Sequence, residues 1–148
     1  MLMKKIDSYE KTMDCPWMTL RPLSLSDKYD VLLSWLMQCK NNASIAKRSE
    51  CFIVPNCQVN TKVYISIGES EELLAGFESQ SYVIKLLTAL FLKSYRGKNF
   101  KQVIQHCQTV DIWRKAGLSA VIPLNYQGGI YNIRTYLLVI MNKQIAGV

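Results

Sequence analysis

YVIKLLTALFLKSYRGKNFKQVI, Tyr82 to Ile104, is the stretch on which the fold turns. Its first half, Tyr82 to Leu92, is almost continuously apolar. A strand covered on both faces has that pattern, and periodicity alone does not separate it from a buried helix. The expectation is a central strand that ends at Leu92. Beyond it, Phe100, Val103, Ile104, Cys107 and Trp113 recur at helical spacing, and Gly117 stands where a left-handed cap is wanted. A strand that passes through Arg96-Gly97-Lys98-Asn99 into a helix would aim several free backbone amides and the helix dipole at one point, where a phosphate can sit. Lys93, Arg96, Lys98 and Lys101 add full charges there.

Upstream, Thr61 to Ile67 alternates, with Val63, Ile65 and Ile67 on one face, and Leu73 to Phe77 resumes the apolar run after Gly68-Glu69-Ser70-Glu71-Glu72. The two read as a hairpin with an acidic tip. Cys51 to Val54 is a further strand, and Met18 to Leu23 a short extended segment ended by Pro22. Ser24 or Ser26 can then cap a helix whose first turn holds Asp27 and Asp30 and whose apolar stripe is Tyr29, Leu32, Leu33 and Leu36. Downstream, Ser119 to Leu124 reads as a strand, Gly128-Gly129 as a turn, and Thr135 to Met141 as a last strand, with a helix over 130–142 as the alternative.

The expected fold is therefore α/β (α+β), a mixed twisted sheet flanked by helices, in one domain over residues 1–148. Hydrophobic residues make up 49% and charged residues 20%, which is too apolar for a disordered chain. Apolar stretches around Leu86 to Leu92 and Leu137 to Met141 are far shorter than the ~20 residues of a spanning helix. Asp7, Glu10 and Asp14 follow Lys4 and Lys5 where an export signal would place its apolar core, so a cytoplasmic location is expected. An odd number of cysteines, Cys15, Cys39, Cys51, Cys57 and Cys107, suits free thiols. The lone histidine, His106, is expected at the surface; it adjoins Cys107, and helical neighbours point apart, which argues against a nucleophile and base pair. Cys51 and Cys57 have poor zinc spacing, so no metal is expected.

Charge is unevenly divided. Residues 1–78 hold nine Lys/Arg against ten Asp/Glu, and residues 79–148 hold nine against Asp111 alone. Such a field attracts phosphate-bearing partners, or else simply keeps a solvated face soluble.

With its opening "LRPL…D…LLSWL" (Leu20 to Leu36), its hairpin, "YRGKNFKQVI" (Tyr95 to Ile104) and "AGLSAVIPLN" (Ala116 to Asn125), the chain resembles the GNAT superfamily of acyl-CoA-dependent N-acyltransferases. The resemblance implies a GNAT-like sheet with abbreviated C-terminal elements. It also implies acetyl-CoA bound by Leu92, Arg96, Gly97, Lys98, Asn99, Phe100, Lys101, Gln102 and Asn125, with Asn99 and Lys101 standing where the family has small residues. Tyr136 or Tyr131 would protonate the departing thiolate, and Glu78, ahead of Glu69 and Asp111, would deprotonate the amine. The acceptor would be a small amine, a protein lysine or an aminoacyl-tRNA. Two rival classes stand beside it. One is a non-catalytic module that binds nucleic acid through residues 79–148, with Tyr95, Phe100, Trp113, Tyr126 and Tyr131 as stacking platforms. The other is an adaptor or secretion-chaperone-like protein with an exposed apolar patch for a protein partner.

Overall fold

The computed structural model describes residues 10, 14–39, 50–53, 61–118 and 124–146, with the backbone alone over 50–53 and 124–133. These residues form a mixed α/β protein. In chain order they are α1 (Pro16–Leu20), α2 (Leu25–Gln38), β1 (Glu50–Ile53), β2 (Thr61–Ile67), β3 (Leu73–Ser79), α3 (Tyr82–Tyr95), α4 (Phe100–Thr109), α5 (Ile112–Lys115) and α6 (Leu124–Ala146).

Tyr82 to Leu92 is a helix, which overturns the expected central strand. Ser81 starts α3 by accepting a hydrogen bond from the Ile84 amide at 3.2 Å. Leucine and alanine favour the helix, and ten of the fourteen residues are buried. A helix covered nearly all round loses the polar stripe that would betray its period, so its sequence reads like that of a buried strand. Two hydroxyls inside it are satisfied locally, Thr88 on the Lys85 carbonyl at 3.0 Å and Ser94 on the Leu90 carbonyl at 2.7 Å.

The expected hairpin is present, and with β1 it makes a three-stranded antiparallel sheet in the order β1-β2-β3. Val63 pairs with Phe77 and Ile65 with Ala75, and these four side chains face the core with Leu73. Val54, the last residue of the expected first strand, lies outside the described residues. The predicted amphipathic helix is α2, capped by Ser24 on the Asp27 amide at 3.2 Å, with Leu32 and Trp35 buried.

Two terminal expectations fail. Met18 to Leu23 is not extended: Pro16 sits in the first turn of α1, where its fixed φ and missing N–H suit a helix start, and Trp17 and Leu20 are buried. The Gly128-Gly129 turn and the strand over Thr135 to Met141 both lie within α6. Among its described side chains Leu137, Ile140 and Met141 are buried, at helical spacing, and the Gln144 side-chain amide donates to the Ile65 carbonyl of β2 at 2.8 Å. Of the expected strand Ser119 to Leu124, only Leu124 is described, as the first residue of α6.

Phe91 occupies the centre of the core. Its ring meets Phe77 and Tyr95 edge-on at 5.7 and 5.1 Å and stacks on Trp113 at 6.5 Å. The Trp113 indole N–H donates to the Leu87 carbonyl at 2.9 Å, which ties α5 to α3. No helix among the described residues is long and apolar enough to cross a membrane.

Gly117 is the expected left-handed cap, but it ends the short α5, because the single helix expected from Phe100 to Trp113 is broken at Val110 and Asp111, both in extended backbone. Its φ is +76, its amide donates to the Arg114 carbonyl, and the Leu118 amide donates to the Trp113 carbonyl. A Cβ at Gly117 would stand 3.0 Å from the Lys28 Nζ. The Gly117→Ala variant is expected to lose about 1–2 kcal/mol through the left-handed backbone alone, measured as a lower urea midpoint with an unchanged slope. A midpoint equal to wild type would contradict this geometry.

Candidate functional site

The bend between α3 and α4 is the expected anion site, and most of its amides are already engaged. The Arg96 amide donates to the Leu92 carbonyl at 3.0 Å, Lys98 to Tyr95 at 3.0 Å, Gly97 to Leu73 at 2.8 Å and Phe100 to Glu71 at 2.8 Å. The Gln102 amide donates to the Asn99 side-chain oxygen at 3.1 Å, so Asn99 is the helix cap. The hairpin tip closes the bend from outside, because the Leu73 amide also donates to the Lys98 carbonyl at 2.7 Å and Glu72 bridges Asn99. That tip carries Glu69, Glu71 and Glu72. The Glu72 carboxylate folds over Gly68, into the space that a Cβ there would need. The basic bend thus meets acidic residues of its own chain, and five of the amides expected to converge there, those of Arg96, Gly97, Lys98, Phe100 and Gln102, have partners within the chain.

The other expected cofactor residues are scattered. Leu92 is buried inside α3 with its carbonyl occupied, so it offers no strand edge to a thioester. Gly97 has φ +80 and open space around it. Phe100 is buried, while Lys101 and Gln102 are exposed. Lys93 reaches back to α2, its Nζ 3.5 Å from the Gln38 Oε1 and 5.9 Å from the centre of the Trp35 ring. Asn125 and Tyr131 lie in α6, their side chains outside the described set. Tyr136 is half-buried against the core. Glu78 is exposed at the far end of β3, beside a cavity of about 230 Å³ shared with Lys62, Ser79 and Gln80. Glu69 is exposed, and Asp111 caps α5 by accepting from the Trp113 and Arg114 amides at 3.1 and 3.3 Å.

Sequence reasoning missed a buried polar chain. His106 is 1% exposed, not at the surface. Its Nδ1 lies 2.5 Å from the Tyr95 hydroxyl and its Nε2 2.7 Å from the Glu10 Oε1, and its ring packs on Trp17 at 5.0 Å. A carboxylate can only accept, so Nε2 carries the proton toward Glu10 and Nδ1 accepts from Tyr95. Burial pushes the imidazole pKa below its ordinary 6.5, against the pull of Glu10. Tyr95 is fully buried, so no substrate reaches the hydroxyl, and the chain serves to pin Glu10 to α4. A lone histidine at an inward helical position beside Cys107 was the one available signal. Cys107 itself is no nucleophile: burial pushes its thiol up to about 12. Cys15 and Cys39 are also raised, first by burial, and all three are free thiols. Among the described residues no group of three His, Cys, Asp or Glu side chains is placed to hold a metal.

The class defined at this point is a mixed α/β protein with a helical, carboxylate-poor basic segment between residues 79 and 118. No family model matches the sequence, and no curated protein matches it significantly.

Proposed function

We propose that the chain is a non-catalytic module that binds duplex nucleic acid through the outer face of α4 and the cations that follow it. The observation that carries this reading is the composition of that face. Lys101, Gln102, Gln105, Gln108 and Thr109 are exposed with no carboxylate among them, and Arg114 and Lys115 come next, also exposed. Asp111, between them, is engaged as a cap. Lysine and arginine hold phosphates, glutamine side chains pair with adenine edges, and a helix fits the major groove. The stacking platforms expected from the sequence fall away, since Tyr95, Phe100 and Trp113 are buried and the side chains of Tyr126 and Tyr131 are not described. That favours a duplex over a single strand.

Anisotropy of a labelled DNA duplex provides the test. Affinity should fall roughly 10- to 100-fold between about 50 and about 200 mM salt, as expected for two or three phosphate contacts. The double change Arg114→Gln, Lys115→Gln should weaken binding by at least about tenfold, with the fold checked by a melt above about pH 7, where His106 no longer titrates. No binding at low salt, or binding indifferent to these changes, removes the reading.

A GNAT-like acetyltransferase retains the sequence resemblance as its support and has none from the bend, most of whose amides are engaged. It requires acetyl-CoA to raise the melting temperature of the wild type and not of Arg96→Ala. The adaptor reading has one observation of its own. Met18, Leu25, Leu33 and Met37, all on or beside α1 and α2, are large apolar residues at 38–54% exposure.

A further inference from the structure

Two opposite charges line one small cavity without pairing. Ile67 at the end of β2, Glu71 in the hairpin tip, Phe100 and Lys101 at the start of α4 and Ile145 near the end of α6 line a partly open cavity of about 290 Å³. That is at the lower edge of the ~300–1,000 Å³ typical of small-molecule sites. It suits a molecule the size of one amino acid. Among the described residues the only ion pair joins His106 to Glu10, so neither the Glu71 carboxylate nor the Lys101 ammonium is neutralised by a partner. The wall between them is apolar, from Ile67, Phe100 and Ile145. The three parts of the wall come from segments distant in sequence, and the Phe100 amide on the Glu71 carbonyl at 2.8 Å locks two of them together. The helix terminus is not what carries the site, because two of its first-turn amides, those of Phe100 and Gln102, already have partners.

A cavity with an apolar wall, one cation and one anion matches a zwitterion with an aliphatic tail. We propose that it binds a free aliphatic α-amino acid. Its carboxylate lies on Lys101, its ammonium on Glu71, and its side chain against Ile67, Phe100 and Ile145. A simple anion would leave Glu71 facing it, and a simple amine would meet Lys101, so each half-ligand is opposed by one wall of the site. This inference shares Lys101 with the nucleic-acid reading but not its test: leucine binding is read on the full chain without DNA, and the nucleic-acid reading is tested at Arg114 and Lys115, which do not line the cavity.

The test is thermal shift and calorimetry on the full chain with L-leucine. Isoamylamine, which lacks the carboxylate, 4-methylpentanoate, which lacks the ammonium, and glycine, which lacks the side chain, serve as comparisons. Leucine should raise the melting temperature, and each comparison compound should bind at least about tenfold more weakly. Lys101→Met should erase the preference for leucine over isoamylamine, and Glu71→Gln the preference over 4-methylpentanoate. The proposal fails if leucine, isoleucine and methionine give no shift at about 10 mM, where a millimolar dissociation constant would still register. It fails equally if the half-ligands bind as well as leucine; binding of 4-methylpentanoate or isoamylamine alone would make the cavity a site for anions or amines. The ligand series on the unmodified chain decides the matter even where a variant folds poorly.

Discussion

Replacing Phe91 by alanine is expected to remove about 3–5 kcal/mol of folding stability, the range for truncating a fully buried phenylalanine. Phe91 is 1% exposed and touches aromatic rings from three elements, Phe77 of β3, Tyr95 of its own helix and Trp113 of α5. No single neighbour can move in to close the space, because each is held elsewhere; Trp113 is tied to the Leu87 carbonyl and Tyr95 lies against His106. The loss should appear as a lower urea midpoint and weakened near-ultraviolet dichroism from the remaining aromatic residues. Leu92 is buried as well, so Leu92→Glu should be comparably damaging. Lys93, the next residue, is exposed and so tolerates Glu in the helix at little cost in stability. A Phe91→Ala chain as stable as wild type would overturn the core described above.

The second large effect concerns His106. His106→Ala should cost about 2–4 kcal/mol, by removing a buried ring together with the acceptor of the Tyr95 hydroxyl and the donor to Glu10. Its sign with pH follows from proton binding. Burial sets the folded pKa below the unfolded 6.5, so between those two values the unfolded chain holds more protons than the folded one, and acid favours unfolding. The contribution of His106 is complete above pH 6.5, shrinks as pH falls below it, and levels off once pH is under the folded value. Glu10 opposes this shift and Lys115 adds to it, so Glu10→Gln should steepen the acid loss and Lys115→Met should soften it. Urea melts at a series of pH values provide the measurement. His106→Asn should lie flat across the window where the wild type slopes, and equal slopes in the two proteins would mean the histidine is not buried neutral.

How much of this was legible beforehand varies by element. The hairpin showed because β2 and β3 each have one covered face, so alternation survives in Val63 and Ile65 against Phe77 and Ala75. α2 and α4 showed because each keeps a solvent stripe, and Gly117 showed because only a residue without a side chain takes φ +76 easily. α3 did not show. Its exposed residues are too few to mark a period, and the unbroken apolar run outweighed the cues that favour a helix, Ser81 before it and its leucines and alanine. α6 was obscured by β-branched and aromatic residues and by Gly128-Gly129, whose weak helix preference the surrounding chain overrides.

The candidate site followed the same division. The abundance of cations after residue 79, the acidic tip and the glycine of the bend are properties of composition and order, and the chain itself determined them. Whether those charges stand free is a matter of distance. Only the folded chain brings the Leu73 and Glu71 carbonyls onto the amides of Gly97 and Phe100, and only it joins Glu10 to a histidine ninety-six positions away. Local sequence carries a residue's preference and its charge. It does not carry which backbone groups from a distant segment will satisfy that residue first, and that competition closed the bend and left α4's outer face open.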